Sequence, residues 1–201
     1  CERLIKKFPD NSYFYNLCGL ALQRNGQIIK SIKYFEKALF FEKNNFAAMN
    51  NLANAYKHLC EYKKAEELYK KILIEDKKNI RALNNYANLK KEFNKYKEAK
   101  NFLIQALKID ENDISILSNI AACCHGMGEI DEAKNYALKI LDLEPNNTSA
   151  HKLISGIVNY SKEPNHLETM RKLLLNNNFK NLSSIEKTDL FFALGKAYED
   201  I

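Results

Sequence analysis

The sequence predicts an all-α fold, a right-handed α-solenoid of stacked helix–turn–helix hairpins, from three observations. Small residues return every 34 positions, and apolar residues follow the spacing of α-helix faces. Glycine and proline are rare, with 6 Gly and 3 Pro in 201 residues. A fixed period of about 20 to 50 residues is typical of solenoid proteins, and so few helix breakers favour helices over strands.

The 34-residue period appears in three series of mostly small side chains. These are Gly19, Ala53, Ala87 and Ala121; Ser31, Ala65, Ala99 and Ala133; and Ala38, Ile72, Ala106 and Ile140. We expect the small residues to mark where the two helices of a hairpin cross closely. One hairpin cannot cover both of its apolar faces, so stability should be distributed through contacts between neighbouring hairpins.

The period also predicts unit boundaries. Residues 1–11 are interpreted as the end of a preceding repeat, 12–45, 46–79, 80–113 and 114–147 as four regular units, 148–187 as an irregular fifth unit, and 188–201 as the first helix of a further unit. In that last helix we expect one apolar face formed by Phe191, Leu194, Gly195 and Tyr198. Because both ends fall within a repeat, we expect the sequence to be an internal piece of a longer protein.

Several of the recurring residues carry a family resemblance. The pattern around Tyr15, Gly19, Phe35 and Ala38, with a closing Pro145 in the fourth unit, resembles the tetratricopeptide family. The resemblance covers almost the whole chain. It implies stacked hairpins whose first helices line a groove for a peptide or a protein segment.

The spacing i, i+4, i+7 and i+11 on each first helix predicts the side chains that face this groove. The inward positions are Ala47, Asn51, Asn54 and His58; Arg81, Asn85, Asn88 and Glu92; and Ser115, Asn119, Ala122 and Gly126. We therefore predict a peptide-binding site formed by Asn51, Asn54, His58, Arg81, Asn85, Asn88, Glu92, Ser115 and Asn119.

Three asparagines in this set, Asn51, Asn85 and Asn119, recur at the 34-residue period. An amide offers both a donor and an acceptor, so a ladder of amides could pair with successive backbone groups of an extended peptide. The segments 50–54 and 84–88 resemble the O-GlcNAc transferase superhelix, in which an asparagine ladder holds substrate peptide. Leu17 and Leu153 occupy the equivalent positions in the first and fifth units, so the ladder would be short. The alternative is that these amides are solvated or bridge neighbouring helices.

The C-terminal part carries a second resemblance. The order of the segments 151–170, 182–184 and 192–200 is similar to the region in bacterial proteins where tetratricopeptide repeats precede a sulfotransferase domain. This resemblance implies a substrate-docking arm of a larger transferase. A free-standing adaptor between proteins, or the arm of a glycosyltransferase, would present the same solenoid.

Charge and hydropathy restrict the partners. The net charge is +6, but most lysines alternate with glutamates, as in residues 61–67, which is typical of a solvated helix face. We expect no nucleic acid partner. No apolar stretch approaches the length of a membrane span, so we expect no membrane partner either. Self-association through the open C-terminal helix is the remaining interaction that we predict.

Chemistry-bearing residues give no catalytic pattern. The sequence has no Gly-rich phosphate loop, no serine nucleophile elbow and no inward pair of carboxylates. No metal-ligand spacing joins His58, His125 and His151. Cys18 and Cys124 fall on apolar helix faces and are interpreted as small core residues, which suits a reducing, cytoplasmic setting. We expect a non-enzymatic segment with no catalytic residue, metal or cofactor.

Overall fold

The computed structural model describes residues 2–162, 165–175 and 178–201, and within them it contains thirteen α-helices and no strand. The helices are α1 Glu2–Lys7, α2 Ser12–Arg24, α3 Ile28–Phe41, α4 Phe46–His58, α5 Tyr62–Glu75, α6 Ile80–Glu92, α7 Tyr96–Leu107, α8 Ile114–Gly126, α9 Ile130–Leu143, α10 Thr148–Ser155, α11 Asn165–Leu175, α12 Asn178–Asn181 and α13 Ser184–Glu199. The all-α prediction is confirmed. Glu163 and Pro164, which fall within the predicted irregular fifth unit, lie outside the described residues.

The chain divides into two compact units, with the boundary between Ile109 and Asp110. In the first unit, α2 pairs with α3, α4 with α5, and α6 with α7. Here α2, α4 and α6 are the first helices of the hairpins, and α3, α5 and α7 are the second helices. Each first helix also contacts the next first helix, since α2 meets α4 and α4 meets α6. In the second unit, α8 pairs with α9, and α10 packs on both α9 and α13.

Five helices begin at a capping residue that recurs every 34 positions: Asn11, Asn45, Asn79, Asp113 and Asn147. In each case the side-chain oxygen accepts a hydrogen bond from a backbone N–H in the first turn, at 2.9 Å for Asn45 to Ala48 and 3.0 Å for Asn79 to Ala82. Such a cap satisfies one of the otherwise unpaired donors at the start of a helix and is worth about 1 kcal/mol. The caps therefore fix where each helix begins.

The turn inside each regular hairpin also repeats. Gly26, Cys60, Asn94 and Gly128 follow one another at 34-residue intervals, and all four have positive φ, between 56° and 77°. Glycine adopts this left-handed conformation without steric cost, whereas a side chain is strained there. Cys60 and Asn94 therefore tolerate a backbone geometry that the repeat imposes on them.

Close helix crossing explains the small-residue series. Gly19 on α2 and its counterparts Ala53, Ala87 and Ala121 are all buried. A Cβ atom added to Gly19 would lie 2.4 Å from Cε1 of Phe35, which is itself fully buried on α3. The absence of a side chain at Gly19 thus lets the Phe35 ring fill the crossing between α2 and α3.

The last helix packs differently from the prediction. It begins at Ser184, four residues before Thr188, and its first turn is closed by a capping box between Ser183 and Glu186. The buried face comprises Leu190, Ala193, Leu194 and Ala197, whereas Phe191 and Tyr198 are 53% and 54% exposed. The predicted face of Phe191, Leu194, Gly195 and Tyr198 is therefore wrong, except for Leu194, because α13 packs on α10 with another side.

Two further sequence expectations concern buried and membrane-spanning segments. Cys18 and Cys124 are 3% and 0% exposed, so their assignment to the core is confirmed. His151 is fully buried on α10. None of the helices in the described ranges combines the length and the apolar character that crossing a membrane requires.

Candidate peptide-binding wall

The predicted groove residues of the first unit lie on α4 and α6. Among them, Asn51, Asn54, Asn85 and Asn88 are half-buried, and His58, Arg81 and Glu92 are the more peripheral members of the set. We call the corresponding faces of α2, α4 and α6 the first-helix wall. Because neighbouring first helices touch, the side chains of one helix can meet those of the next.

Asn51 and Asn85 each bridge to the preceding first helix. The Asn51 Nδ2 atom donates to Oδ1 of Asn16 at 2.8 Å, and the Asn85 Nδ2 atom donates to Oδ1 of Asn50 at 3.4 Å. Asn16 and Asn50 are both buried. The alternative that these amides bridge helices is thus observed for both residues, so the ladder is not a row of unoccupied amides. Each bridge fixes the orientation of its amide group.

Asn54 and Asn88 lie one turn further along the same helices. Their side-chain oxygens accept hydrogen bonds, whereas Asn51 and Asn85 donate through their NH₂ groups. The Tyr69 hydroxyl donates to Oδ1 of Asn54 at 2.6 Å, and the Lys91 ammonium donates to Oδ1 of Asn88 at 3.3 Å. Burial raises the pKa of Tyr69 above its ordinary value, so its hydroxyl keeps its proton and remains a donor.

The two kinds of amide are complementary. Among the described residues, Asn51 and Asn85 have no partner for Oδ1, and Asn54 and Asn88 have none for Nδ2. Each of α4 and α6 therefore presents one oriented acceptor and one oriented donor about a turn apart. A peptide backbone alternates C=O and N–H groups, so this pair suits backbone recognition.

Charge gathers at the C-terminal end of the wall. Lys57 Nζ lies 3.9 Å from a carboxylate oxygen of Glu92. A shallow cavity of about 340 Å³ lies beside this pair and is also lined by Asn88, Lys91 and Tyr96. Two predicted groove residues, Asn88 and Glu92, thus share one cavity.

The wall has an apolar end that the sequence analysis did not include in the site. Tyr13 and Leu17 on α2 occupy the repeat positions of Ala47 and Asn51, since 47−34 = 13 and 51−34 = 17. They are 63% and 38% exposed. The signal for them in the sequence is the repeat register, whereas Leu17 carries no amide and so does not belong to the asparagine series.

The remaining predicted residues belong to the second unit. Ser115 is exposed and Asn119 is half-buried, both on α8, and Asn119 interacts with other groups of the protein. Asn51 and Asn85, the two asparagines with described amide bridges, both belong to the first unit. A ladder that also includes Asn119 stays a prediction.

One group in the described part of the chain has the donor atoms for a metal ion. The ligand atoms of Cys124, Glu129 and Glu132 all lie within 4.8 Å of one another. Each of the three already interacts with other groups of the protein. Cys124 is fully buried, in keeping with a packing role.

Hairpins of repeated length, with polar side chains at recurring positions on their first helices, define an α-helical repeat protein. Three family models described as tetratricopeptide repeat match residues 12–44, 46–74 and 91–157, which together make up more than half of the chain. The chain belongs to the tetratricopeptide repeat family.

A curated protein and a solved structure are similar to this chain. The uncharacterized protein ycf37 of Pyropia yezoensis is 38% identical over 55 residues, a match that spans 27% of this chain and 31% of that protein. The solved structure of Pseudomonas aeruginosa PilF has a TM-score of 0.75 and 25% identity, covering 94% of this chain and 85% of that chain.

Two further solved structures share the fold. YrrB, described as a TPR protein with an unusual peptide-binding site, has a TM-score of 0.63 and 19% identity, covering 96% of this chain and 95% of that one. MamA from Desulfovibrio magneticus has a TM-score of 0.66 and 17% identity, covering 81% and 93%. At these identities the likeness concerns the fold alone.

Proposed function

We propose that this chain is a non-catalytic scaffold that holds an extended peptide or protein segment along the first-helix wall. The observation that carries the proposal is the oriented acceptor and donor pair on each of α4 and α6. Asn51 and Asn85 offer their side-chain oxygens, and Asn54 and Asn88 offer their amide N–H groups. The related fold of YrrB, which has a peptide-binding site, supports the proposal.

The fixed amides lower the entropic cost of such binding. Their orientation is already set by Asn16, Asn50, Tyr69 and Lys91, so a ligand need not immobilise them. Backbone recognition by amides also tolerates many side chains. Selectivity would come from the two ends of the wall, where Tyr13 and Leu17 offer apolar contacts and Lys57 and Glu92 offer charges.

A random-sequence peptide array, followed by affinity measurements on the strongest binder, tests the proposal. The double variant Asn54→Asp and Asn88→Asp keeps the acceptors for Tyr69 and Lys91 but removes the N–H donors aimed at a ligand. Losing two net hydrogen bonds should weaken binding by about tenfold or more. The matched control pairs Asn101→Asp with Asn112→Asp, two exposed positions away from the wall.

The outcome separates a backbone reader from a surface that merely attracts peptides. The control variant changes the net charge equally, so equal binding by both double variants would contradict the proposal. Circular dichroism of each variant checks that the helices are retained.

We further propose that the scaffold is the substrate-docking arm of a larger transferase, with a sulfotransferase favoured. This assignment rests on the order of the C-terminal segments in the sequence alone. A free-standing adaptor or the arm of a glycosyltransferase are the alternatives. The coding sequence beyond position 201 decides among them, since a strand followed by a phosphate-binding loop supports a sulfotransferase, and further 34-residue units support an adaptor.

A further inference from the structure

A second candidate site lies in the first unit, between α1, α2 and α3. It is a cavity of about 390 Å³, lined by Ile5, Lys6, Tyr15, Lys33, Tyr34 and Lys37. This volume falls in the range of small ligand pockets and is large enough for one aromatic side chain.

The floor of the cavity is apolar and well supported. Tyr15 is only 5% exposed, and its ring lies 5.3 Å from the ring of Phe41 and 6.4 Å from that of Tyr34, measured between centroids. Ile5 and Tyr34 are half-buried and pack on the same cluster. A flat or branched apolar group placed here would lose water on one whole face.

The rim carries three exposed lysines, Lys6, Lys33 and Lys37. No carboxylate is among the lining residues, and no ion pair within the described ranges involves any of the three. The Lys37 ammonium lies 5.5 Å from the centroid of the Tyr15 ring. Three like charges around one opening repel each other, and an anionic ligand would relieve that repulsion.

The next hairpin offers a direct comparison. The positions 34 residues beyond Lys33 and Lys37 are Glu67 and Lys71, so α5 carries opposite charges where α3 carries two lysines. Elsewhere on α5, Lys64 pairs with Glu61 and Lys70 pairs with Glu66. The gathering of three lysines around one apolar opening, with no carboxylate in its lining, is therefore a local property of this cavity.

The cavity and the first-helix wall lie on different sides of α2. Tyr15 is two residues from Tyr13 and two from Leu17, which places it about 200° around the helix from both. A ligand in the cavity would therefore not occupy the wall.

We propose that this cavity binds an acidic protein segment, which seats one apolar side chain on the Tyr15 floor and pairs its flanking carboxylates with Lys6, Lys33 and Lys37. A small inorganic anion would use the lysines but not the floor. Nucleic acids and membranes bind extended basic surfaces, whereas here the charges surround a single apolar patch.

Isothermal titration with the peptide Glu-Glu-Phe-Glu-Glu, blocked at both ends, tests the proposal. Two matched peptides separate its parts: Gln-Gln-Phe-Gln-Gln removes the charge, and Glu-Glu-Ser-Glu-Glu removes the apolar anchor. We expect each to bind at least about tenfold more weakly than the parent peptide. We expect the double variant Lys33→Gln and Lys37→Gln to weaken binding of the parent peptide by a similar factor.

The control variant, Lys63→Gln and Lys71→Gln, makes the same charge change on α5 and should leave the affinity unchanged. The wall variant Asn54→Asp and Asn88→Asp should also leave it unchanged, so this site can fail or succeed independently of the proposed function. Loss of affinity in both lysine variants, or equal binding of the Phe and Ser peptides, would overturn the proposal. The proposal would also be overturned if the protein bound single-stranded DNA or phosphatidylserine vesicles more tightly than the parent peptide and lost that binding in the Lys33→Gln and Lys37→Gln variant. Self-association that the same variant abolishes would overturn it as well.

Discussion

The regular hairpins of the first unit and the irregular region from α10 to α13 bury polar groups in different ways. In the regular hairpins, buried amide bridges recur with the repeat, as Asn51 with Asn16 and Asn85 with Asn50. In the irregular region, His151, His166 and Tyr160 form a chain of side-chain contacts that has no counterpart at the 34-residue period. In the regular hairpins the polar contacts thus follow the repeat, whereas in the irregular region they depend on residues that do not recur.

The contacts of the irregular region join three side chains, Tyr160, His166 and His151, to a backbone carbonyl. His151 Nε2 lies 2.9 Å from the Pro145 oxygen, His151 Nδ1 lies 2.9 Å from His166 Nε2, and the Tyr160 hydroxyl lies 2.6 Å from His166 Nδ1. A carbonyl only accepts, so His151 donates through Nε2. His166 must then donate to His151 through Nε2, and Tyr160 donates to His166. Both imidazoles are neutral in this arrangement.

Acid should destabilise the irregular region at a higher pH than the regular hairpins, and this is the largest effect that we predict. Burial lowers the pKa of His166 from its usual 6.5 to about 4, and repulsion from Lys134, and from His151 once that residue is protonated, adds to the shift. The unfolded chain therefore binds more protons than the folded chain between these values. The stabilisation is complete above pH 6.5 and is lost as the pH falls toward 4, by about 3 kcal/mol.

The regular hairpins should respond at lower pH. Hydrogen bonds from Tyr86 and Lys70, then from Lys90, lower the pKa of Glu66 from 4.5 to about 2. Its stabilisation is present above pH 4.5 and lost only below that value. Backbone NMR signals recorded at pH 7 and pH 5 should therefore show α10 and α11 opening first. His166→Gln should reduce this step, and His125→Gln, at an exposed histidine, should not; opening of α4 to α7 at pH 5 would contradict the comparison.

Replacing a glycine with alanine should have opposite effects on stability in the two regions. Gly19→Ala places a methyl group against the buried Phe35 ring and should destabilise the first unit by about 1–3 kcal/mol. A Cβ atom added to Gly195 on α13 would meet no neighbouring side chain within 4 Å, so Gly195→Ala should stabilise its helix by about 0.5–1 kcal/mol. Urea unfolding of each variant measures both values. Equal effects of the two changes would show that close crossing does not distinguish the regions.

The smallest effect concerns the repeated turn. Cys60 adopts φ 59° where the equivalent positions in two other hairpins are glycine. Cys60→Gly should relieve this strain and stabilise the first unit by about 0.5–1 kcal/mol, although it removes the weak contact with the Tyr62 hydroxyl. Thermal unfolding detects the change, and Asn94→Gly provides the control, with a smaller gain because asparagine tolerates positive φ. A loss of stability in Cys60→Gly would mean that the turn is not strained.

The sequence allowed the helical hairpins and their crossing residues to be predicted, because both follow from periodic apolar and small side chains. It did not reveal the capping role of Asn11, Asn45, Asn79 and Asn147, because asparagine is also frequent on the helix faces and the period alone does not define where each helix begins. The bridges of Asn51 and Asn85 depend on how neighbouring helices are rotated, which a period does not specify. The face of α13 was missed for a similar reason, because its partner α10 is a short helix outside the regular repeat.

The central claim is that oriented amides on the first helices hold the ligand backbone. It is tested most directly by following the side-chain NH₂ signals of Asn51, Asn54, Asn85 and Asn88 by NMR while the strongest peptide from the array is added. The account predicts that these four signals shift together and saturate with the peptide, and that the signal of Asn101 on α7 does not move. Shifts confined to the second helices, with the four wall amides unchanged, would contradict it.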